Sequence, residues 1–191
     1  SPQLHRNLAT LAAVTVELTT RHGGPAIGAT LQGKLGARTI TRRVEPAASY
    51  RHYPACMMYN IITGEPQSGH AAMNAACVEA LEACQAVLRP SYTVGDLYAA
   101  HAEAFNRAGV SAAALAACGY SVGISYPPTW MDWPMVWADN PQVLEPGMVF
   151  FLHMILLDDQ TGLSMSLGET AIVTEGGCER VNHMPRELIR T

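Results

Sequence analysis

Lysine, and charge in general, is scarce in this chain of 191 residues. Lys34 is the single lysine, charged residues make up 15% of the sequence, and the formal net charge is −4. Arg42 and Arg43 are the only neighbouring pair of Lys or Arg residues. Proteins that bind nucleic acid need a basic surface to meet the phosphate backbone. The composition therefore argues against a nucleic-acid partner.

Long apolar runs and paired cysteines are also missing. No apolar run approaches the roughly 20 residues that a membrane-spanning helix needs, and the first residues do not resemble a signal peptide. The five cysteines are an odd number without a CxxC pair, which disfavours a disulfide framework or a zinc ribbon. We expect a cytoplasmic protein with reduced thiols and no membrane partner. The start at Ser1, without a methionine, suggests a processed or trimmed chain.

What is present is enough apolar sequence for one packed domain over residues 1–191, since 49% of the residues are hydrophobic. Apolar spacing predicts helices over residues 4–21, 68–88 and 93–107, the last with an N-cap pattern at Thr93 and Asp96. Strand-like runs cover residues 38–44, 56–63, 148–157 and 163–174, and Asp158 to Gly162 is typical of a hairpin turn. The Trp- and Pro-rich segment 125–140 is interpreted as an ordered loop. This order predicts an α+β domain in which helices cover one curved antiparallel sheet.

A histidine and a carboxylate stand in the middle of two of these apolar strands. In an extended strand Val149, Phe151 and His153 share one side, and Glu169 belongs to the partner strand. Burial of either polar group costs several kcal/mol, roughly, unless it is paired or used. If His153 and Glu169 face each other, each supplies the polar partner that the other needs. We therefore take this pair as the first candidate for a catalytic site.

Five segments in order resemble one known superfamily. They are TRRVEPAASYRHYPACMMYNIITGEP, CGYSVGISYPPTW, LEPGMVFFLHMI, SLGETAIVTEGGCE and the closing MPRELI. Together they are similar to the creatinase, prolidase and methionine-aminopeptidase superfamily, whose shared domain is called the pita-bread fold. The resemblance covers almost the whole chain and implies that fold. Prolidase-type and creatinase-type relatives carry an additional N-terminal domain, which we expect this chain to lack.

The resemblance also places the metal ligands of the superfamily. Its metallopeptidases bind two metal ions through Asp, Asp, His, Glu and Glu, and these positions fall in order on Glu45, Cys56, Tyr120, His153 and Glu169. Only Glu169 keeps the ligand type. A hard dinuclear centre needs bridging carboxylate oxygens, so these departures imply a protein without a metal cofactor. A single softer metal held by Cys56, His153 and Glu169 is left open.

Within the superfamily, VEPAASYRHY, GYSVGISYPPTW and the terminal PRELI resemble the ectoine hydrolase branch, which is understood to open a cyclic amidine without metal. The resemblance implies Glu45 as nucleophile or general base, a proton-transferring pair of His153 and Glu169, and Tyr53 and Tyr120 as hydrogen-bond donors. The expected function is a metal-independent hydrolase or cyclase for a C–N bond of a small cyclic amidine, amide or amino-acid derivative, in a biosynthetic pathway. Residues expected to bind this small molecule are His52, Tyr126, Trp130 and Trp133.

Two other functions remain open. One is a non-catalytic pita-bread protein that serves as a binding or scaffold module after losing the metallopeptidase site. The other uses Cys56 as a thiolate nucleophile with His52 or His153 as its base. In each case the family resemblance implies a homodimer.

Overall fold

The computed structural model describes residues 26–27, 40–50, 53–125 and 129–190. The helix predicted over residues 4–21 lies outside these described residues. The strands are β1 (Ala26–Ile27), β2 (Ile40–Val44), β3 (Ala47–Tyr50), β4 (Tyr53–Thr63), β5 (Ala117–Ser121), β6 (Asp132–Trp137), β7 (Val149–Leu157), β8 (Ser164–Thr174), β9 (Gly177–Arg180) and β10 (Ile189–Arg190).

All of these strands belong to one ten-stranded sheet. Its main path runs β1-β3-β4-β8-β7-β5-β6, with β2 and β10 paired to β4 and β9 paired to β8. The pairs are antiparallel except β10 with β4. The predicted hairpin between β7 and β8 is confirmed, and there the Asp158 N–H donates to the Leu163 carbonyl at 2.9 Å.

Two helices, α1 (His70–Val87) and α2 (Val94–Arg107), agree with the spacing of the apolar residues. The predicted N-cap of α2 is confirmed as a capping box. The Thr93 hydroxyl accepts from the Asp96 N–H, and the Asp96 carboxylate accepts from the Thr93 N–H. Such a box satisfies two of the backbone donors that a helix start leaves free.

The sheet has two different faces, because neighbouring side chains of a strand point to opposite sides. On the first, which we call the helix face, Leu152, Met154 and Leu167 pack against the buried side of α1. On the second, which we call the Tyr120 face, a separate cluster contains Cys56, Met58, Tyr120, Phe151 and Ile155. Helices on a largely antiparallel sheet confirm the predicted α+β class.

The segment interpreted as a loop over residues 125–140 contains a strand instead. In β6, Met135 packs on the Tyr120 face and Val136 on the helix face, so the residues alternate as in any sheet. Its Pro134 is compatible with a strand because β6 ends the main path of the sheet, where one row of N–H groups needs no partner. Among the described residues, no helix is long and apolar enough to cross a bilayer.

Glu169 joins β8 to the helix face through a buried ion cluster. Its carboxylate is 2% exposed and accepts two hydrogen bonds from Arg180, two from Arg186 and one from Gln85 of α1. Each of the five is 2.8 or 2.9 Å long. Burial alone would raise the pKa of Glu169, but the hydrogen bonds from Arg186, Arg180 and Gln85 leave it below its ordinary value. The carboxylate is therefore ionised and structural.

We expect Glu169→Gln to lower the free energy of unfolding by about 3 kcal/mol, because it leaves Arg180 without a described counter-charge and Arg186 with only the exposed Glu82 as its partner. Urea denaturation followed by circular dichroism measures this. The matched control is Glu79→Gln, which breaks an exposed ion pair with Arg107 and should cost less than about 1 kcal/mol. Equal losses for the two variants would contradict a structural role for the cluster.

Candidate active site

Four of the six predicted catalytic residues lie on the Tyr120 face in two cross-strand rows: Glu45, Cys56, Tyr120 and His153. The pairing of β4, β8 and β7 puts Met58, Gly168 and His153 side by side, and Glu45 follows the end of β2 at the same level. The next row joins Cys56 of β4 to Thr170, Phe151 and Tyr120. Regular strand pairing thus gathers residues that are far apart in the sequence.

Glu45 is a half-buried carboxylate on this face. No described residue donates a hydrogen bond to it. Burial raises the pKa of Glu45 above its ordinary value, and the positive charge of Arg43 opposes part of that rise. Its negative charge in turn helps to raise the pKa of Cys56 and Tyr120, so all three groups lie within electrostatic range. A carboxylate without donors is more basic than usual and available to a proton or an electrophile.

Tyr120 is buried, with its hydroxyl held from one side. The Trp130 Nε1–H donates to the Tyr120 oxygen at 3.0 Å, which leaves the phenolic hydrogen free to be donated. Burial, then the charges of Cys56 and Glu45, raise the pKa of Tyr120. Tyr120 therefore stays a neutral donor at physiological pH. Trp130 packs on the same cluster, as a residue expected to bind substrate would.

Cys56 is placed as a structural residue. It is fully buried, and its backbone N–H and carbonyl are both bonded to the Thr170 hydroxyl, at 2.9 and 2.7 Å. Burial, and next the charge of Glu45, raise the pKa of the thiol. A reactive cysteine needs a lowered pKa and access to its substrate. Both observations oppose Cys56 as a thiolate nucleophile.

His153 lies beside Tyr120 and Phe151, with ring centroids 5.6 and 5.9 Å away. Its Nδ1 is buried without a hydrogen-bond partner. Burial, assisted by the charges of His101 and Arg43, lowers the pKa of His153 to about 4. The imidazole is thus neutral near pH 7.

The predicted pairing of His153 with Glu169 is wrong. The residue opposite His153 on β8 is Gly168, whereas Glu169 stands opposite Leu152 and faces the helices. A shift of one residue in register moves a side chain to the other face, and strand alternation alone could not show which residue stood opposite His153. The charge of Glu169 is instead satisfied by Arg180 and Arg186.

The sequence analysis missed two residues next to His153, Gly168 and Phe151. A Cβ on Gly168 would lie 2.6 Å from Cζ and 2.9 Å from Cε2 of Phe151, so the Phe151 ring occupies the room of a side chain there. Phe151 was noted only as an apolar neighbour of His153. The signal that could have identified Gly168 is the length of the hairpin loop, which sets the register of β7 and β8.

The other predicted residues are distributed more widely. The Tyr53 hydroxyl donates to the Val122 carbonyl at 2.7 Å, so the donor expected for substrate is already used within the protein. Trp133 is 66% exposed, and its ring contacts Trp137 edge-on. His52 and Tyr126 lie outside the described residues.

The residues on this face do not fit a dinuclear metal centre. Within the described part of the chain, no group of three His, Cys, Asp or Glu side chains is close enough together to hold a metal ion. The chemistry of the donors agrees, because a hard dinuclear centre needs bridging carboxylates and the corresponding positions offer the thiol of Cys56 and the phenol of Tyr120. The open alternative of a single metal on Cys56, His153 and Glu169 is also wrong, since Glu169 faces the other side of the sheet.

Comparison with known proteins gives several relatives. The chain is 33% identical to the ectoine hydrolase of Halomonas elongata over 145 residues, which are 75% of this chain and 36% of that protein. The chain therefore spans about a third of the length of this relative. The family model for metallopeptidase family M24 matches residues 43–175 of this chain.

Solved structures agree in fold. Dipeptidase PepE from Mycobacterium ulcerans superposes with a TM-score of 0.78 at 19% identity, covering 87% of this chain and 47% of that one. Prolidase from Pyrococcus furiosus superposes with a TM-score of 0.76 at 16% identity, covering 94% and 60%. These similarities confirm the predicted pita-bread fold. With 133 matched residues, from 43 to 175, the chain belongs to metallopeptidase family M24.

Proposed function

We propose that this protein is a hydrolase that works without a metal ion on a C–N bond of a small cyclic amidine, amide or amino-acid derivative. The observation that carries the proposal is Glu45, a half-buried carboxylate of raised pKa to which no described residue donates a hydrogen bond. It stands beside neutral donors on a face whose residues do not fit a metal. The similarity to an ectoine hydrolase supports a cyclic amidine as the first substrate class to test.

In the proposed reaction Glu45 acts on the electrophilic carbon of the C–N bond. As a general base it takes a proton from water, the resulting hydroxide adds to the carbon, and the C–N bond breaks as the nitrogen takes up that proton. As a nucleophile its oxygen bonds to the carbon first, and the C–N bond breaks as the leaving nitrogen takes up a proton carried by the protonated substrate. Water then cleaves the ester-like intermediate, which gives the same products and frees Glu45. The Tyr120 hydroxyl donates to the group on which charge develops. The same steps in reverse would close a ring, which is the cyclase form of the proposal.

A second candidate is a binding protein that keeps the fold without turnover. It is favoured by His153, whose neutral ring has no hydrogen bond to Nδ1 and no carboxylate opposite it. Proton-transferring histidines are normally held by a second group. Under this reading the Tyr120 face would bind a small molecule and release it unchanged.

We expect Glu45→Gln to lower kcat by about a hundredfold to ten-thousandfold, because the amide can neither accept a proton nor attack. The assay is a screen of ectoine and other cyclic amidines, with the products detected by mass spectrometry. Glu79→Gln, on the outer side of α1, is the control and should keep wild-type turnover. The melting temperature of both variants should stay within a few degrees, roughly, of that of the parent.

Full activity of Glu45→Gln would refute its catalytic role. Activity that disappears after dialysis against a chelator, and returns with added metal, would refute metal independence. Tight binding of a cyclic amidine to the parent without any product would favour the binding protein.

We expect the activity to fall on the acid side as Glu45 is protonated. Because burial raises the pKa of Glu45, the midpoint of kcat/KM against pH should lie above 4.5, the ordinary value for Glu. His153, with a pKa of about 4, is already neutral and should add no step between roughly pH 5 and 8. A pH profile of kcat/KM for the parent and for His153→Asn tests this, and a midpoint that moves with His153 would contradict it.

A further inference from the structure

A row of three rings runs along α2 and has no part in the proposed reaction. Tyr98, His101 and Phe105 are three and four positions apart, so they lie on one side of the helix. The His101 and Phe105 rings meet edge-on with centroids 4.4 Å apart, and the Tyr98 ring lies 5.6 Å from that of His101. Phe105 belongs to the core between the helices and the sheet. The row is therefore on the helix face and not on the Tyr120 face.

The chain returns along this row after α2 ends. Gly109 has a φ of +71°, a value that favours glycine and lets the chain turn back. The backbone of Ala114 then pairs with Leu156 of β7, which holds the returning segment in place. Residues 111–117 of this segment read Ser-Ala-Ala-Ala-Leu-Ala-Ala. Such small side chains leave space beside the rings.

The space is a cleft with a volume of about 290 Å³, which we call the His101 cleft. Beside the three rings, its lining includes Ala102 of α2 and, from the returning segment, Ser111 and Ala114. None of the described residues that line it carries a charge. Ligand pockets in proteins start at roughly 300 Å³, so the cleft has room for one small molecule.

His101 is the buried polar group of this cleft, and it lacks a partner. The residue is 2% exposed, and its Nδ1 is buried without a hydrogen bond. No described residue bonds to its Nε2 either. Burial lowers the pKa of His101 to about 4, so the ring is neutral near pH 7 and offers one N–H donor and one acceptor nitrogen. Buried polar groups are nearly always paired, and an unpaired one at the wall of a cleft points to a ligand.

His70 shows how the same protein satisfies a buried histidine. It is fully buried at the start of α1, and its Nδ1 accepts from the Gln67 N–H at 2.9 Å. Its Nε2 lies 3.0 Å from the Thr41 hydroxyl. Both ring nitrogens of His70 thus have partners within the protein, whereas those of His101 have none among the described residues.

We propose that the His101 cleft is a second binding site, which takes a small neutral aromatic molecule with a hydroxyl group, such as a phenol. The ring of this molecule packs edge-on or offset against Tyr98 and Phe105. Its hydroxyl bonds to the imidazole of His101, since a hydroxyl can both donate and accept. A charged molecule would find no counter-charge here, and a plain hydrocarbon would leave the imidazole unpaired. The site does not depend on the proposed reaction.

The first test follows the imidazole directly. In a protein labelled with ¹⁵N in its histidine rings, the His101 signals are assigned by their loss in His101→Phe, and phenol is titrated in at pH 7. We expect a saturable shift of the His101 signals, with a Kd of about 1 mM for a ligand of so few atoms. The exposed His183 is the internal control, and its signals should not move.

Two analogues of phenol test the chemistry of the cleft. Toluene has the ring without the hydroxyl, and benzoate carries a negative charge. Each should bind the parent about tenfold more weakly than phenol. His101 signals that ignore phenol, or equal binding of phenol and either analogue, would overturn the proposal.

The second test fills the cleft. We expect Ala102→Leu to weaken phenol binding by at least about tenfold, because the larger side chain occupies the space beside the rings. The matched control is Ala99→Leu, an exposed position of the same helix outside the lining, which should bind phenol as the parent does. Leucine is a good helix former, so both variants should keep the fold. Unchanged binding in Ala102→Leu, or equal losses in the two variants, would place the phenol elsewhere and overturn the site.

His101→Phe separates the hydrogen bond from the packing. Calorimetric titration of this variant should give equal affinities for phenol and toluene, because no polar atom remains to choose between them. A preference for phenol that survives in His101→Phe would refute the role of the imidazole. N-acetyltyrosinamide carries the same ring on a peptide backbone and should bind the parent no more tightly than phenol. Tighter binding would assign the cleft to a tyrosine of another protein and overturn a small-molecule site.

Discussion

The five hydrogen bonds that Glu169 accepts determine which side of the sheet each residue of β8 faces. A buried carboxylate is tolerated only where donors and positive charges surround it, and those groups come from α1, β9 and the last residues of the chain. Once Glu169 is held against the helices, strand alternation sends Gly168 and Thr170 to the other face. The residues that β8 contributes to the Tyr120 face therefore depend on Glu169, whose charge lies on the helix face.

That face combines the Glu45 carboxylate, whose pKa is raised, with groups that stay neutral. Tyr120, Cys56 and His153 are each kept uncharged mainly by burial, which acts on an acid and on a base in opposite directions. Against this background the charges of Glu45 and Arg43 dominate the local electrostatics. In a medium of low polarity, the attraction between such a pair and a zwitterionic or amidinium-bearing molecule is much stronger than in water.

Local patterns in the sequence predicted much of the fold. The helix spacing at Met73, Cys77 and Leu81 and the capping box at Thr93 depend on contacts within a few residues, so they can be read without a structure. The face of the sheet on which Glu169 lies could not be predicted in this way. Its partners are distant in sequence, with Gln85 84 positions before it and Arg186 17 positions after it.

The strand β6 was missed for a related reason. Its proline and two tryptophans are typical of a loop. The proline becomes compatible with a strand only at the end of a sheet, which is a property of the topology. Glu45 and Tyr120 were identified because the family resemblance aligned them. The register that puts Gly168, and not Glu169, opposite His153 depends on one residue in the hairpin.

The ring of Phe151 beside Gly168 makes the side chains tolerated at the two positions depend on each other. An acidic residue introduced at position 168 would collide with the ring, and a smaller residue at position 151 would leave a void beside the glycine. Neither substitution alone is a neutral step, and a metal site would also need new ligands at positions 56 and 120. A carboxylate opposite His153 on this face would therefore require positions 151 and 168 to change together, so the packing of one ring keeps the place opposite His153 without a side chain.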